Sequence, residues 1–183
     1  MTDAPMLGPA QQADAFMAAV SFLIDRLEGG DKLVTDTGGL TKYGISKKAF
    51  PEVDIAALTR TDAIMLYRIH YWATVDAGKL PGPLALAVFD AAVNVGAVGA
   101  VRILQRVVGV PDDGVLGPQT LAAVQRYRSP VAASDLVALY IAARVRWYYD
   151  LAATKPHHVP SLRGWINRCA KVAVECGRLT GQA

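Results

Sequence analysis

The chain has 183 residues, of which 52% are hydrophobic and 19% are charged, and its formal net charge is +3. This length supports one well-buried core rather than two, and no stretch approaches the roughly 18 to 20 uninterrupted apolar residues that a membrane span needs. The basic residues are scattered, so the small positive charge suits approach to an anionic polymer but gives no nucleic-acid-binding stripe.

The first predicted element is an amphipathic helix that ends at Glu28. Gly29 and Gly30 follow directly and predict the end of the helix. The unpaired carbonyls of a last helical turn carry partial negative charge and favour the neutral form of a carboxyl group. Glu28 is therefore a candidate proton donor, or else a solvated acid at a helix end. The apolar stripe of this helix recurs at steps of three and four and consists of Phe16, Val20, Leu23, Ile24 and Leu27.

A small β-hairpin is predicted directly after this helix, between Thr35 and Ser46. The pair Gly38-Gly39 suits the turn because glycine adopts positive φ at low cost. The Thr, Tyr and Ile residues that follow favour strands.

The hairpin carries three candidate site residues. A chain that folds back through the turn could bring Asp36 across a cleft from Glu28, although Asp36 also fits a plain polar turn. Thr41 and Tyr43 are two residues apart, so they are predicted to share one face of a strand.

A second helix is predicted to begin at Thr59, where Asp62 completes a capping box, and to run to about Val75. Its aromatic residues could line a groove, because sugar rings stack on aromatic faces, but aromatic residues at helical spacing are also typical of a core. Both interpretations stay open for Tyr67, Tyr71 and Trp72.

A third, unusually apolar helix is predicted from Leu84 to Val95, ending at Gly96, and is expected to be central. Asp90 and Asn94 lie one turn apart on it and need polar partners if they are buried. Asn94 could hold the catalytic loop, contact a ligand or make a structural hydrogen bond.

Four more helices are predicted at about 98–108, 118–127, 130–153 and 162–179, separated by Gly, Pro or Ser-Pro breaks. The turn around Asp113-Gly114 precedes Pro118 at the first position of a helix, which favours a structural role for that turn. The pattern is therefore mainly α with one small β-hairpin.

The cysteines and histidines point to no metal and no cofactor. Cys169 and Cys176 are seven apart on a helix, a rise of about 10 Å, so they are predicted to be buried thiols rather than a disulfide. His157-His158 lacks further ligands at zinc-like spacing and is read as a loop pair. A phosphate-binding loop and a nucleophile elbow are also missing from the sequence.

Five motifs, in this order along the chain, resemble glycoside hydrolase family 108, whose members are N-acetylmuramidases, typically phage-type endolysins. The resemblance runs from about Phe16 to Arg168. The motifs are Glu28-Gly29-Gly30, the run from Asp36 to Ser46, Tyr67-Arg68 with Tyr71-Trp72, Phe89-Asp90 with Asn94-Val95-Gly96, and Gly164-Trp165 with Asn167-Arg168.

The resemblance implies a lysozyme-like α+β fold, a helical bundle with the hairpin beside the active-site cleft. Residues 1–183 are expected to form one unit, with a catalytic part at 11–96 and a helical part at 97–183. The segment from Leu104 to Leu121 is similar to the peptidoglycan-binding region attached to this family. Asp31 replaces the usual Tyr after Glu-Gly-Gly, and the loop is shorter than is usual in the family.

The resemblance also implies the site. The family's catalytic acid corresponds to Glu28, while Asp36 and Thr41 match the next motif and are rivals for the second catalytic role. The candidate substrate-binding residues are Tyr43, Tyr67, Tyr71, Trp72 and Asn94.

The expected reaction is hydrolysis of the β-1,4 bond between N-acetylmuramic acid and N-acetylglucosamine in peptidoglycan, with Glu28 protonating the leaving oxygen. If Asp36 is its partner, a carboxyl separation of about 5 to 5.5 Å indicates retention and about 6.5 to 9.5 Å indicates inversion. Thr41 could instead position the water. The alternatives are a lytic transglycosylase, which needs only Glu28, and a cell-wall binding module without catalysis.

The N-terminal sequence lacks the basic start of a secretory signal, so we expect synthesis in the cytoplasm and action on the cell wall in the periplasm. The family resemblance implies help from a holin-type pore. Peptidoglycan strands are the expected partner of a monomeric protein, with no nucleic acid and no stable membrane insertion.

Overall fold

The computed structural model describes residues 8–36, 38–127 and 129–181, apart from the side chains of Pro9 and Asp36. Helices dominate these ranges, as the sequence predicted, and one small antiparallel sheet accompanies them. The α-helices are α1 (Pro9–Phe22), α2 (Arg60–Tyr67), α3 (Gly82–Val95), α4 (Ala97–Val108), α5 (Pro118–Val124), α6 (Pro130–Thr154) and α7 (Leu162–Thr180). The strands are β1 (Val34–Asp36), β2 (Gly39–Lys42) and β3 (Ile45–Ser46), and short 3₁₀ turns cover Ala77–Lys79 and Pro156–Ser161.

Helix α3 lies at the centre of the molecule, as its composition predicted. It packs against α1, α4, α6 and α7, and its residues from Leu84 to Ala92 are all buried. A helix that is apolar on every side can be surrounded in this way without exposing polar faces to the core. The one charge in this buried stretch, Asp90, must therefore be neutralised by other elements.

The predicted hairpin is present, with differences in detail. Strands β1 and β2 are antiparallel, with Val34 opposite Thr41 and Asp36 opposite Gly39, so Gly39 lies in a strand and not in the turn. A third strand, β3, pairs with β2. Tyr43 lies beyond the end of β2 with a φ of 53°. The prediction that Thr41 and Tyr43 share a strand face was therefore wrong, because the left-handed turn at Tyr43 interrupts the alternation.

The helices on either side of the sheet both end in a wider, π-helical turn, at Leu23–Leu27 and at Arg68–Trp72. The sequence predicted the first ending and the capping box at Thr59, which the structure confirms. It did not predict the wide turns, and α2 does not continue regularly to Val75. π-Helical turns are rare and are frequently found at functional sites.

The second half of the chain follows the predicted helices closely, although α5 ends at Val124 rather than near Tyr127. Cys169 and Cys176 are buried and free, as predicted, and burial raises the pKa of the Cys176 thiol to about 12. Among the described residues, no helix combines the length and apolar character needed to cross a bilayer.

A polar cluster centred on an amide holds the turn between α4 and α5, and we call it the Gln105 cluster. The buried side chain of Gln105 donates to Asp113 Oδ1 at 2.7 Å and to Thr120 Oγ1 at 3.2 Å, and its Oε1 accepts from the backbone N–H of Gly114 at 2.8 Å. These bonds give the polar groups of the turn hydrogen-bond partners inside the protein. They agree with the structural interpretation of the Asp113-Gly114 turn.

Candidate active site

Glu28 stands at the end of the first wide turn, where the chain leaves the helix. Its backbone N–H donates to the carbonyl of Leu23 at 3.0 Å, and that of Gly30 donates to Ile24 at 2.9 Å. Gly29 and Gly30 have φ values of 78° and 69°, which glycine adopts without strain. The side chain of Glu28 is only 18% exposed, so Glu28 is not the freely solvated acid that the alternative interpretation described.

The turn between β2 and β3 packs directly against Glu28. A Cβ atom added to Gly44 would lie 2.6 Å from Glu28 Cγ, so any side chain there displaces the acid. Tyr43 holds its unfavourable positive φ through both backbone groups: its N–H donates to Gly30 at 3.1 Å, and its carbonyl accepts from the Tyr67 hydroxyl at 2.9 Å. The helix end and the sheet thus form one rigid wall beside the Glu28 carboxyl group.

A line of alternating charges runs inward from Glu28, and we call it the ionic row. It consists of Glu28, Arg168, Asp90 and Arg144. Arg168 Nη1 lies 2.7 Å from Glu28 Oε1, while Arg168 Nε donates to Asp90 Oδ1 at 2.9 Å. Arg168 Nη2 is 2.8 Å from the same Asp90 oxygen, an ion-pair contact without hydrogen-bond alignment. Asp90 Oδ2 accepts from Arg144 Nη1 at 2.6 Å, and both of these side chains are fully buried.

The two arginines keep the buried Asp90 charged. Burial alone raises the pKa of Asp90, but Arg144 and Arg168 outweigh it and hold that pKa below its ordinary value. Burial likewise lowers the pKa of each arginine, and Asp90 more than compensates. Opposite charges at hydrogen-bond distance offset the desolvation that each group would otherwise suffer.

Two further residues continue the ionic row to the surface. Arg144 Nε donates to the hydroxyl of Tyr148 at 2.9 Å, and that hydroxyl donates to Asn94 Oδ1. Burial raises the pKa of Tyr148 to about 12, so it stays a donor at neutral pH. Asn94 is exposed overall and makes the structural hydrogen bond that was one of its three sequence-based interpretations.

Two of the three aromatic candidates on the second helix belong to the core. Trp72 is 7% exposed and packs edge-on against Phe16 and Phe89, with ring centroids 5.3 and 5.4 Å apart. Tyr67 is 1% exposed, so its ring cannot stack on a sugar either. The groove-lining prediction was wrong for both rings, because each packs edge-on against Phe89 of the central helix.

Tyr71 remains available at the site, since it is only half-buried. Burial, and after it the charge of Glu28, raises the pKa of Tyr71, so the two side chains lie within electrostatic reach of each other. The same two causes raise the pKa of Tyr67. Tyr67 and Tyr71, whose ring centroids are 5.7 Å apart, thus lie near Glu28, while Tyr43 contributes its backbone to the same wall.

The two candidates for the second catalytic role are described unequally. Thr41 is half-buried on β2, and its hydroxyl donates to the carbonyl of Gly39 at 3.3 Å. The backbone of Asp36 pairs with Gly39 at the end of β1, but its side chain lies outside the described part of the structure. The separation of the two carboxyl groups therefore stays a prediction.

Sequence reasoning did not assign Arg144, Tyr148 or Arg168 to the site. It did predict that a buried Asp90 needs partners, which the structure confirms. It also considered only the helix-end carbonyls around Glu28, whereas the structure places the guanidinium of Arg168 2.7 Å from Glu28 Oε1. Among the described residues, no cluster of three or more His, Cys, Asp or Glu side chains is placed to hold a metal ion.

Two family models match two consecutive parts of the chain, and the ionic row has residues in both. Residues 23–96 match the family model described as glycosyl hydrolase 108, and residues 99–170 match the one described as a predicted peptidoglycan domain. The chain is similar to the solved structure of Brucella abortus SagA, with 29% identity and a TM-score of 0.70, over 94% of this chain and 97% of that chain. No curated protein matches. Glu28 and Asp90 lie in the first match, and Arg144 and Arg168 lie in the second.

Proposed function

Because this chain is a peptidoglycan hydrolase with a glycoside hydrolase family 108 domain and a peptidoglycan-binding region, we propose that Glu28 is its catalytic acid. The bond cleaved is the β-1,4 link between N-acetylmuramic acid and N-acetylglucosamine. The observation that carries this assignment is the fixed carboxyl group of Glu28, held between the Gly44 turn and Arg168. Positioning of this quality is what proton transfer to a substrate requires.

The chemistry needs a protonated Glu28 at the start of each cycle. The proton passes to the leaving glycosidic oxygen while positive charge develops on the sugar ring. A positioned general acid of this kind contributes about 10² to 10⁴-fold to the rate.

The second catalytic role has two candidates, and each makes a different prediction. If Asp36 takes it, Asp36→Asn lowers the rate far more than Thr41→Val. If Thr41 positions the attacking water, Thr41→Val is the more damaging change and Asp36 acts as an electrostatic or structural acid. Proton NMR of the first-formed anomer then separates retention from inversion.

The remaining substrate contacts are assigned to the residues that stay accessible around Glu28. The half-buried Tyr71 offers ring surface near the acid, and Tyr43, whose backbone lies in the same wall, is proposed as a further contact. The exposed amide of Asn94 offers polar contacts at the outer end of the hydrogen-bond chain that starts at Asp90. These three residues make up the proposed substrate-binding set.

The proposed biological role is lysis of a bacterial cell by a phage-type endolysin. The enzyme is made in the cytoplasm, crosses the inner membrane through a holin-type pore, and acts as a monomer on peptidoglycan in the periplasm. Lysis of otherwise intact cells that produce this chain, compared with and without such a pore, tests the export route separately from the chemistry.

Hydrolysis of purified peptidoglycan by the wild type and by Glu28→Gln tests the assignment, with Glu175→Gln as the matched control. Both changes replace a glutamate carboxylate by an amide, but Glu175 pairs with Arg178 on the outer part of α7. We expect Glu28→Gln to lose at least 99% of the rate and Glu175→Gln to keep it.

Mass spectrometry of the products checks the reaction itself. New reducing N-acetylmuramic acid ends that carry one added water are expected. Anhydro-sugar ends would identify a lytic transglycosylase instead, and undiminished activity of Glu28→Gln would exclude Glu28 as the acid.

A further inference from the structure

We propose that Arg168, which lies in the peptidoglycan-binding region, is a positioning residue for Glu28, and that the buried pair Asp90 and Arg144 holds it in place. This inference rests on the proposed function, since it requires Glu28 to be the acid. It assigns part of the catalytic machinery to a region whose match indicates peptidoglycan binding alone.

Arg168 is attached at two points, which fixes the plane of its guanidinium group. One nitrogen, Nη1, contacts Glu28 Oε1 at 2.7 Å, and a different nitrogen, Nε, donates to Asp90 Oδ1 at 2.9 Å. Its side chain is only 14% exposed, so water competes little for these contacts. A planar fork that bridges two carboxyl groups gives directional control that a lysine ammonium lacks.

Asp90 can hold Arg168 because Arg144 holds Asp90. The pair between Asp90 Oδ2 and Arg144 Nη1 is 2.6 Å long and fully buried. Two carboxylates and two guanidinium groups make the ionic row neutral when Glu28 is ionised. A buried cluster without net charge avoids the large desolvation penalty of an uncompensated ion.

The ionic row favours the proton transfer step itself. Before the transfer, the carbonyl oxygen of the neutral Glu28 side chain accepts from Arg168, and the hydroxyl on Oε2 faces the glycosidic oxygen. During the step the proton moves to that oxygen, which keeps the electron pair of the broken bond to the anomeric carbon. Water supplies the hydroxyl to that carbon and returns one proton to the site.

The contact between Arg168 and Glu28 therefore changes from a hydrogen bond to a full ion pair during the step. An interaction that is stronger in the transition state than in the ground state raises kcat rather than affinity. A purely structural Arg168, present only to neutralise Asp90, would change stability and leave kcat per folded molecule unchanged. The division between kcat and KM separates the two roles.

The experiment compares Arg168→Met, Arg168→Lys and, as the matched control, Arg178→Met on soluble glycan-strand fragments at a temperature where each variant is folded. Arg178 lies on the same helix, is 66% exposed and pairs with Glu175. We expect Arg168→Met to lower kcat about 10²-fold, the effect of losing one preorganised donor, with KM within about twofold of wild type. Arg168→Lys is expected to restore about tenfold of that loss, and Arg178→Met to behave as wild type.

Wild-type kcat in folded Arg168→Met would overturn the proposal, as would a loss confined to KM or to binding of intact cell walls. If Arg168→Met does not fold, Arg168→Lys decides alone: a kcat about tenfold below wild type at unchanged KM supports the proposal, and a wild-type kcat overturns it. Glu28→Gln distinguishes a failure of this proposal from a failure of the proposed function. An inactive Glu28→Gln with a fully active Arg168→Met rejects only the role of Arg168. An active Glu28→Gln rejects the proposed function itself.

Discussion

Two buried polar clusters of this molecule differ in charge, in reach and in what they stabilise. The ionic row joins the end of the first helical segment to α3, α6 and α7, through contacts between residues 54 and 78 positions apart and between Glu28 and Arg168. The Gln105 cluster has an uncharged amide at its centre and joins residues at most 15 positions apart. The first cluster holds Glu28, the proposed acid, and the second closes a turn.

The difference shows where a buried charge is useful. A buried ion pair adds little net stability over well-packed apolar residues, yet removing one partner is costly because the other charge is left unpaired. A cluster whose buried centre is a neutral amide costs less to bury and less to break. Buried charge therefore serves this fold where exact placement matters, beside Glu28, and amide hydrogen bonds suffice at the turn.

The largest effect is expected for Asp90→Asn, which breaks the ionic row at its centre. The buried Arg144 guanidinium then lacks its counter-ion and Arg168 keeps only Glu28, so we expect a loss of about 3 to 5 kcal/mol in the free energy of unfolding together with a strong fall in activity. Urea unfolding at pH 7 measures the first and peptidoglycan hydrolysis the second. Asp76→Asn, in the exposed pair with Lys79, is the control. A stability within error of wild type would contradict the prediction.

The same variant has a defined pH dependence. The folded-state pKa of Asp90 lies below its ordinary value of 3.8, so its ion pairs contribute stability that is present above the unfolded value and is lost as pH falls through the folded one. The difference in stability between wild type and Asp90→Asn should therefore shrink below about pH 4. A difference that grows on acidification would show that the pKa is shifted in the opposite direction.

A smaller effect is expected for Gln105→Leu, which removes the amide at the centre of the Gln105 cluster at similar volume. The N–H of Gly114 and the hydroxyl of Thr120 lose their partner, so we expect a loss of about 1 to 3 kcal/mol in the free energy of unfolding with unchanged kcat. Thermal unfolding and the hydrolysis assay check the two parts. Reduced activity at unchanged stability would instead indicate that this turn contacts the substrate.

The smallest effect is expected for Arg60→Gln, which removes an exposed ion pair. Arg60 Nη1 lies 2.6 Å from Asp25 Oδ1, the same distance as between Arg144 and Asp90, but the two side chains are 40% and 48% exposed. Solvent screening limits such a pair to about 0.2 to 1 kcal/mol. Urea unfolding in low and high salt measures this contribution. A loss as large as that of Asp90→Asn would show that distance, and not burial, sets the energetic scale.

The local features of this fold could be predicted from the sequence because their signals lie within a few residues. The Thr59-Asp62 capping box, the helix end at Gly29 and the turn before Pro118 are of this kind. The wide turns were not predictable in the same way, because the apolar stripe of α1 reads nearly alike in an α-helical and a π-helical turn. Spacing also could not decide whether Tyr67 and Trp72 face the core or a groove.

The ionic row shows what could not be predicted from the sequence. A lone Asp90 in an apolar helix predicted that partners exist, but not which of the 19 lysines and arginines they are. Arg168 was visible only as part of a family motif, without a role. Its position beside Glu28 depends on how α7 packs against α3, which is a property of the whole fold.

The pairing of Glu28 with Arg168 also has a consequence for the order in which the molecule is made. The two residues are 140 positions apart, so at about 5 to 20 residues per second the ribosome needs roughly 7 to 28 s to deliver the second after the first. Throughout that interval the nascent chain carries the acid without its guanidinium partner. The chain must therefore be synthesised at least as far as Arg168 before the proposed site can assemble.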